Sequence, residues 1–201
     1  RSSNYPTLST YFDLVDDGLR ACEARGINVL LAPSYIGYPG NDDGWNNVAL
    51  GGDHDFMVAQ TDGAKQTWGL QCAINTSGRY KLWISGCDND AGAIANLQSR
   101  LNNVQAGIKV LETNALFMYH GLRNDIGSDD SNMTYLEIET AYIDVTTTES
   151  GPTQIKAAYD KAVRPAIMFE GRYEGHSTTP TNAELRAQMY WAMYGGHVGH
   201  F

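Results

Sequence analysis

Pro165-Ala166-Ile167-Met168-Phe169-Glu170-Gly171-Arg172-Tyr173-Glu174-Gly175 is the stretch that decides the fold. Its first residues are a short apolar run opened by proline, the pattern of a strand buried on both faces of a parallel sheet. The run ends in a carboxylate, Glu170, followed by a glycine turn and polar aromatic residues. Lys81-Leu82-Trp83-Ile84-Ser85-Gly86-Cys87-Asp88 repeats the plan, an apolar strand running into an acid. In a closed parallel barrel every strand directs its C-terminal end to one face, and reactive side chains gather there. Two acids at two strand ends therefore favour a barrel with Asp88 and Glu170 on one rim.

The segments on either side alternate. Ser9 or Thr10 can cap a helix in which Phe12, Val15, Leu19 and Cys22 recur at helical spacing, ending at Gly26. Ile27 to Pro33 reads as a buried strand, and residues 34–52 as a long irregular segment of the kind that carries function. A helix from about Asp53 to Ala73 precedes the strand at 81–86. A helix carrying Ile94, Leu97, Leu101, Val104 and Ile108 precedes the strand at 115–119. The region 132–139 leads into a strand at 141–145, then a helix from Pro152 and the strand at 165–169. The last helix opens with the capping box Thr181-Asn182-Ala183-Glu184 and carries Leu185, Met189 and Met193. Residues 197–201 read as a further short strand.

Six strands alternating with helices, with no hairpin signal between them, predict a parallel sheet with right-handed crossovers. No strand is followed by a glycine-rich dinucleotide fingerprint, which weakens an open nucleotide-binding sheet. The expected fold class is thus α/β, a (β/α)8 TIM barrel. That fold has eight strands and about 250 residues. The expectation is a partial barrel of about six β/α units, strands three to eight, spanning residues 1–201 as an interior segment of a longer protein.

The 201 residues suit one domain, and 42% apolar with 18% charged residues is ordinary for a globular chain. A formal charge of −9 without a Lys/Arg stripe argues against nucleic acid and agrees with neutral substrates. Cys22, Cys72 and Cys87 form no C-x-x-C, so a zinc or redox centre is not expected. Cys22 reads as core. No segment is long and apolar enough to insert into a membrane as a helix.

The motifs together resemble the apiosidase-like glycoside hydrolases, barrels that act on plant polysaccharide side chains. Gly26 to Pro33 is similar to their third strand, and Trp83-Ile84 with Gly86-Cys87-Asp88 to the fourth and its catalytic aspartate. Tyr119-His120 matches the end of strand five, Ile143-Asp144 with Glu149-Ser150-Gly151 strand six, and Phe169-Glu170 through Tyr173-Glu174 strand seven. Arg186, Tyr190-Trp191-Ala192 and Gly199-His200 match the last helix and strand eight. Three departures stand out. Cys87 occupies a position where the family has Gly-Gly-Asp, the approach to Trp83 is shorter, and Glu149 and Pro152 stand near an expected Gln and His.

The resemblance implies a carbohydrate substrate, no cofactor, a location outside the cell or on its surface, and contact with the rest of a longer chain or assembly. It also implies a two-carboxylate retaining mechanism, with Glu170 as nucleophile and Asp88 as acid/base, at about 5–5.5 Å separation. Trp83 and Tyr173 would supply the apolar surroundings that raise an acid's pKa. Tyr119, His120, Arg123, Glu149, Glu174 and His200 would bind sugar hydroxyls or hold Glu170 ionised. Tyr35 and Trp45 would stack on sugar faces. Plainer readings stand beside these: Glu170 paired with Arg172 or Arg123, Asp88 as a helix N-cap, and Trp68, Met189 and Trp191 as packing. Asp88, Asp90 and Gly92 lack the remaining positions of a calcium loop. The alternative function is a non-catalytic carbohydrate-binding or structural barrel within a surface or appendage protein.

Overall fold

Every strand-to-strand ladder among the described residues is parallel, and the strands lie side by side in chain order. The computed structural model describes residues 8–37, 60–88, 90–92, 94, 96–122, 125–130, 133–143, 150–161, 164–173 and 180–199. Its strands are β1 (Val29–Leu31), β2 (Lys81–Gly86), β3 (Phe117–His120), β4 (Glu139–Ile143) and β5 (Ala166–Gly171). Its helices are α1 (Leu8–Glu23), α2 (Asp62–Asn75), α3 (Leu97–Leu111), α4 (Gly127–Asp130), α5 (Ser150–Lys161) and α6 (Asn182–Tyr194).

β1, β2 and β3 form one ladder and β4 and β5 another. The carbonyl of Phe117 accepts from the N–H groups of Glu137 and Ile138, joining β3 to the lead-in of β4. A wall that grows in chain order with a helix after each strand winds one way, unlike a doubly wound sheet whose order reverses. The sixth strand expected at 197–201 is not formed as a ladder among the described residues. Instead Val198 N–H bonds to Ala166 and Met168 N–H to Gly199, at 2.8 and 3.1 Å, so the backbone runs beside β5.

Helix boundaries moved further than strands. α1 already begins at Leu8, so Ser9 and Thr10 lie within its first turn and do not cap it. α2 starts at Asp62, not near Asp53, capped by Thr61, whose hydroxyl accepts the Ala64 N–H at 3.2 Å. α3 starts at Leu97 behind Asn96, so Asp88 is no helix N-cap. The capping box of α6 is present in both directions. Met189 and Met193 are nonetheless exposed, while Gln188 and Ala192, four apart, make the buried face. Met189 is therefore not a packing residue here, whereas Trp68 and Trp191 do pack on the core. Cys22 is only half-buried.

The core has two parts. Trp83, Phe117 and Tyr119 of the first ladder pack against Leu97, Leu101, Val104 and Ile108 of α3. Ala141, Ile143 and Met168 of the second pack against Ile155, Ala158 and Ala192. α2 and α3 approach so closely that a Cβ on Gly107 would lie 2.0 Å from the Gln66 carbonyl oxygen, and one on Gly69 2.0 Å from that of Val104. Alanine would gain about 1 kcal/mol of helix propensity at Gly107, but overpacking against backbone that cannot rotate away costs about 3 kcal/mol. Gly107→Ala should therefore lower the urea midpoint, by a net ~2 kcal/mol at unchanged slope.

The two ends of the strands differ in chemistry. At the N-terminal end of β2 the buried ammonium of Lys81 meets Glu112 at 2.6 Å, and the Trp83 indole N–H donates to the other oxygen of Glu112 at 2.9 Å. Lys109 meets Glu137 at 2.9 Å beside the start of β3. These acids are spent on latching the fold, as residues at that end of a barrel are.

His197, buried after α6, has a ring nitrogen 2.9 Å from the Ile155 carbonyl, tying α6 to α5. Burial, opposed by that hydrogen bond, pushes its pKa below the ordinary value. A folded pKa below the unfolded one means the unfolded chain takes up the proton first. Stability is thus full above about pH 6.5 and falls as pH drops below it. Urea midpoints at pH 7.5 and 5.5 should differ, and His197→Gln should shrink the difference.

Candidate active site at the strand ends

Gly86, Cys87 and Asp88 leave the end of β2 through three successive left-handed conformations, with φ of 85°, 71° and 57°. Only glycine adopts that region freely; each L-residue there is strained by about 1 kcal/mol or more. Backbone bonds hold the turn: Ile36 N–H to Gly86 (3.0 Å), Gly37 N–H to Cys87 (3.2 Å) and Cys87 N–H to His120 (2.9 Å). The Tyr119 hydroxyl accepts the Ala91 N–H at 2.9 Å and steadies the loop beyond. The turn aims Asp88 back over the strand ends.

Glu170 arrives by a different device. The register of β4 with β5 runs Ala141 opposite Met168, then Tyr142 opposite Glu170, so Phe169 is an extra residue. On a regular strand Phe169 and Glu170 would face opposite sides. The bulge re-aims them, and both meet His120. The Phe169 ring centre lies 4.5 Å from the imidazole, and Glu170 Oε2 lies 3.2 Å from its Nε2. Tyr142 packs on the same imidazole at 5.1 Å.

His120 thus sits between the two acids, with Asp88 Oδ1 3.9 Å from Nε2. One oxygen of Asp88, one of Glu170 and His120 Nε2 all lie within 4.8 Å of one another. Nε2 is buried, yet makes no aligned hydrogen bond among the described residues. Cys87 is buried beside the pair. Desolvation, reinforced by the charges of Asp88 and Glu170, pushes its thiol up to about 12, so it stays protonated at neutral pH. It does not displace Asp88 from Glu170's reach.

The other residues singled out from the sequence divide. Tyr35 and Tyr173 are exposed on the segments that follow β1 and β5. Tyr119 is fully buried in the core, its hydroxyl serving the Ala91 loop, so it stands behind the rim and not in it. Trp83 is likewise core and bonded to Glu112, a correction to its expected place beside the acid. Arg172 turns toward α6: its guanidinium is 3.7 Å from Glu184, and Gln188 both accepts from its N–H (2.7 Å) and donates to its carbonyl (3.1 Å). Trp45, Arg123, Glu149, Glu174 and His200 lie outside the described residues. Sequence reading missed Tyr142 and Phe169 as walls of the His120 site. A groove of about 480 Å³ between α5 and α6, lined by Tyr159, Tyr190 and Tyr194, shares no residue with this rim.

The fold has counterparts among solved structures. A glycoside hydrolase family 5 protein from Bacteroides vulgatus superposes with a TM-score of 0.73 at 15% identity, over 100% of this chain and 44% of its own. A second structure described as a glycoside hydrolase gives 0.72 at 14%, over 100% and 47%. The hyperthermostable endo-1,4-beta-D-mannanase from Thermotoga petrophila gives 0.65 at 15%, over 98% and 69%. The chain thus spans less than half the length of the first two, and the likeness is one of fold. No curated protein sequence matches it. The family model for the apiosidase-like catalytic domain matches residues 3–201, and the chain belongs to that family.

Proposed function

We propose that the chain carries the reacting pair of a retaining glycosidase, with Glu170 as nucleophile and Asp88 as acid/base. The observation that supports this most is the spacing: carboxylate oxygens of the two residues lie within 4.8 Å. Retaining enzymes hold their carboxyl groups about 5–5.5 Å apart, whereas inverting ones leave about 6.5–9.5 Å for a water. In the first step a Glu170 oxygen bonds to the anomeric carbon while Asp88 gives its proton to the departing glycosidic oxygen. In the second, Asp88 takes a proton from water, which displaces Glu170 from the same carbon. The bulge at Phe169 sets Glu170 beside the His120 imidazole, 3.2 Å from its Nε2.

The substrate proposed is a polysaccharide side chain, with Tyr35 and Tyr173 meeting sugar faces from the loops. Trp45, Arg123, Glu149, Glu174 and His200 are assigned to the same pocket on the family resemblance. Polymers of that size are met outside the cell, which gives the proposed location. The rival, a binding barrel without turnover, rests on the Gly86-Cys87-Asp88 departure and the shorter approach to Trp83; the spacing of the two acids supports the hydrolase reading over it. The test is incubation with plant cell-wall polysaccharides, following the first-formed anomer by proton NMR. Release of sugar with retained configuration is expected. Inverted product would overturn the mechanism, and saccharide binding without release would favour the rival.

A further inference from the structure

We propose that Asp88, His120 and Glu170 bind a divalent late transition cation of the zinc or cobalt class, and that the bound ion excludes substrate. The second half rests on the glycosidase reading; the first does not. An ion about 2.1 Å from each of two ligands at the tetrahedral angle separates those ligands by about 3.4 Å. His120 Nε2 lies 3.2 Å from Glu170 Oε2 and 3.9 Å from Asp88 Oδ1, values either side of that separation. The third pair is within 4.8 Å, so a small rotation of one carboxylate closes the set.

A second observation is independent of this spacing. The His120 side chain is only 5% exposed, and its Nε2 has no aligned hydrogen-bond partner among the described residues. Buried polar nitrogens are ordinarily satisfied. This one faces two carboxylates that, when ionised, have no proton to offer it. A cation bonded to the Nε2 lone pair and to one oxygen from each acid gives that nitrogen its partner and, with both acids ionised, balances a local charge of −2.

The donor set sets the class of ion. Imidazole with two carboxylates suits zinc, cobalt and their neighbours, whereas calcium and magnesium take oxygen donors alone. The ligands are also held before any ion arrives. Asp88 stands on a pinned turn, Glu170 follows a bulge, and the imidazole is packed by Phe169 and Tyr142. Glu170 bonded to a metal has no lone pair aimed at an anomeric carbon, and a coordinated Asp88 has no proton to give. The ion therefore competes with substrate.

The test begins with the full chain freed of metal by a chelator and titrated with Co²⁺, read by visible d–d absorption. One saturable equivalent is expected, without the near-ultraviolet charge transfer that a thiolate ligand gives. Glu170→Gln and Asp88→Asn keep side-chain shape, and each should weaken binding at least tenfold with an unchanged circular dichroism spectrum. His120→Ala should do the same. Three results would overturn the site: no saturable absorption, variants that titrate like wild type, or a thiolate band placing the ion on a cysteine. In parallel, Zn²⁺ should raise the apparent KM for an aryl glycoside and leave kcat alone; a fall in kcat at constant KM would overturn the exclusion. A chain that binds Co²⁺ through these residues but never turns over sinks the hydrolase reading and keeps the metal site. Turnover without a cobalt spectrum does the reverse.

Discussion

Glu170→Gln should remove turnover on every substrate, by about 10⁴-fold or more in kcat/KM, whatever the leaving group. The amide keeps the shape of the carboxylate but cannot attack an anomeric carbon. Asp88→Asn should behave differently, because its proton matters only when the departing oxygen is a poor leaving group. On an unactivated glycan the loss should reach about 10²–10⁴-fold. On a dinitrophenyl glycoside the first step needs no proton, so most of that loss should vanish from the burst of released phenol. Steady-state turnover would still be slowed at the second step, where Asp88 activates water. Both variants should melt close to the wild-type temperature, since each replaces a half-buried carboxyl group by an amide of the same shape. Kinetics on two leaving groups together with a melting curve decide the matter. Equal losses on both leaving groups in both variants would show that the roles are wrongly assigned, and wild-type rates in Glu170→Gln would remove the mechanism.

The strands were legible because burial on both faces leaves a plain apolar run, and an acid closing such a run marks the rim. That reasoning picked out Asp88 and Glu170, whereas His120 entered through its place at a strand end and the family resemblance. Tyr119 was misplaced for a reason the sequence already contained. Adjacent residues on a strand face opposite ways, so placing His120 in the mouth sends Tyr119 into the helix-facing core. Phe169 and Glu170 break the same rule through a bulge, and a bulge depends on the register with β4, which lies about thirty residues earlier in the sequence. The helix starts at 8 and 62 were missed because caps are local options among many Ser, Thr and Asp residues, and packing selects one. The reciprocal contact of Gly69 with Val104 and of Gly107 with Gln66 joins two helices, and no single-helix pattern encodes it.

Gly86→Ala should be the most damaging of the small substitutions, because two costs coincide at one residue. An alanine at φ 85° is strained by about 1–2 kcal/mol. Its Cβ would also lie 2.5 Å from the Tyr119 ring and 2.7 Å from the His120 carbonyl oxygen. The ring cannot swing aside, being fully buried and bonded through its hydroxyl to the Ala91 N–H. Overpacking of that kind adds about 1–3 kcal/mol. Together the loss is about 2–5 kcal/mol, a large part of the ~5–15 kcal/mol that holds a domain folded, and the melting temperature should fall by roughly 10 °C. Cys87→Gly, one residue on, should do little to stability: it relieves a left-handed strain of about 1 kcal/mol and gives up a buried thiol of similar worth. It also restores the Gly-Gly-Asp pattern that the resemblance leads one to expect, so activity should survive. The pair separates geometry from chemistry. If Gly86→Ala melts like wild type, the left-handed turn is not what positions Asp88. If Cys87→Gly loses as much activity as Asp88→Asn, the thiol belongs to the reacting set and the two-carboxylate account is incomplete.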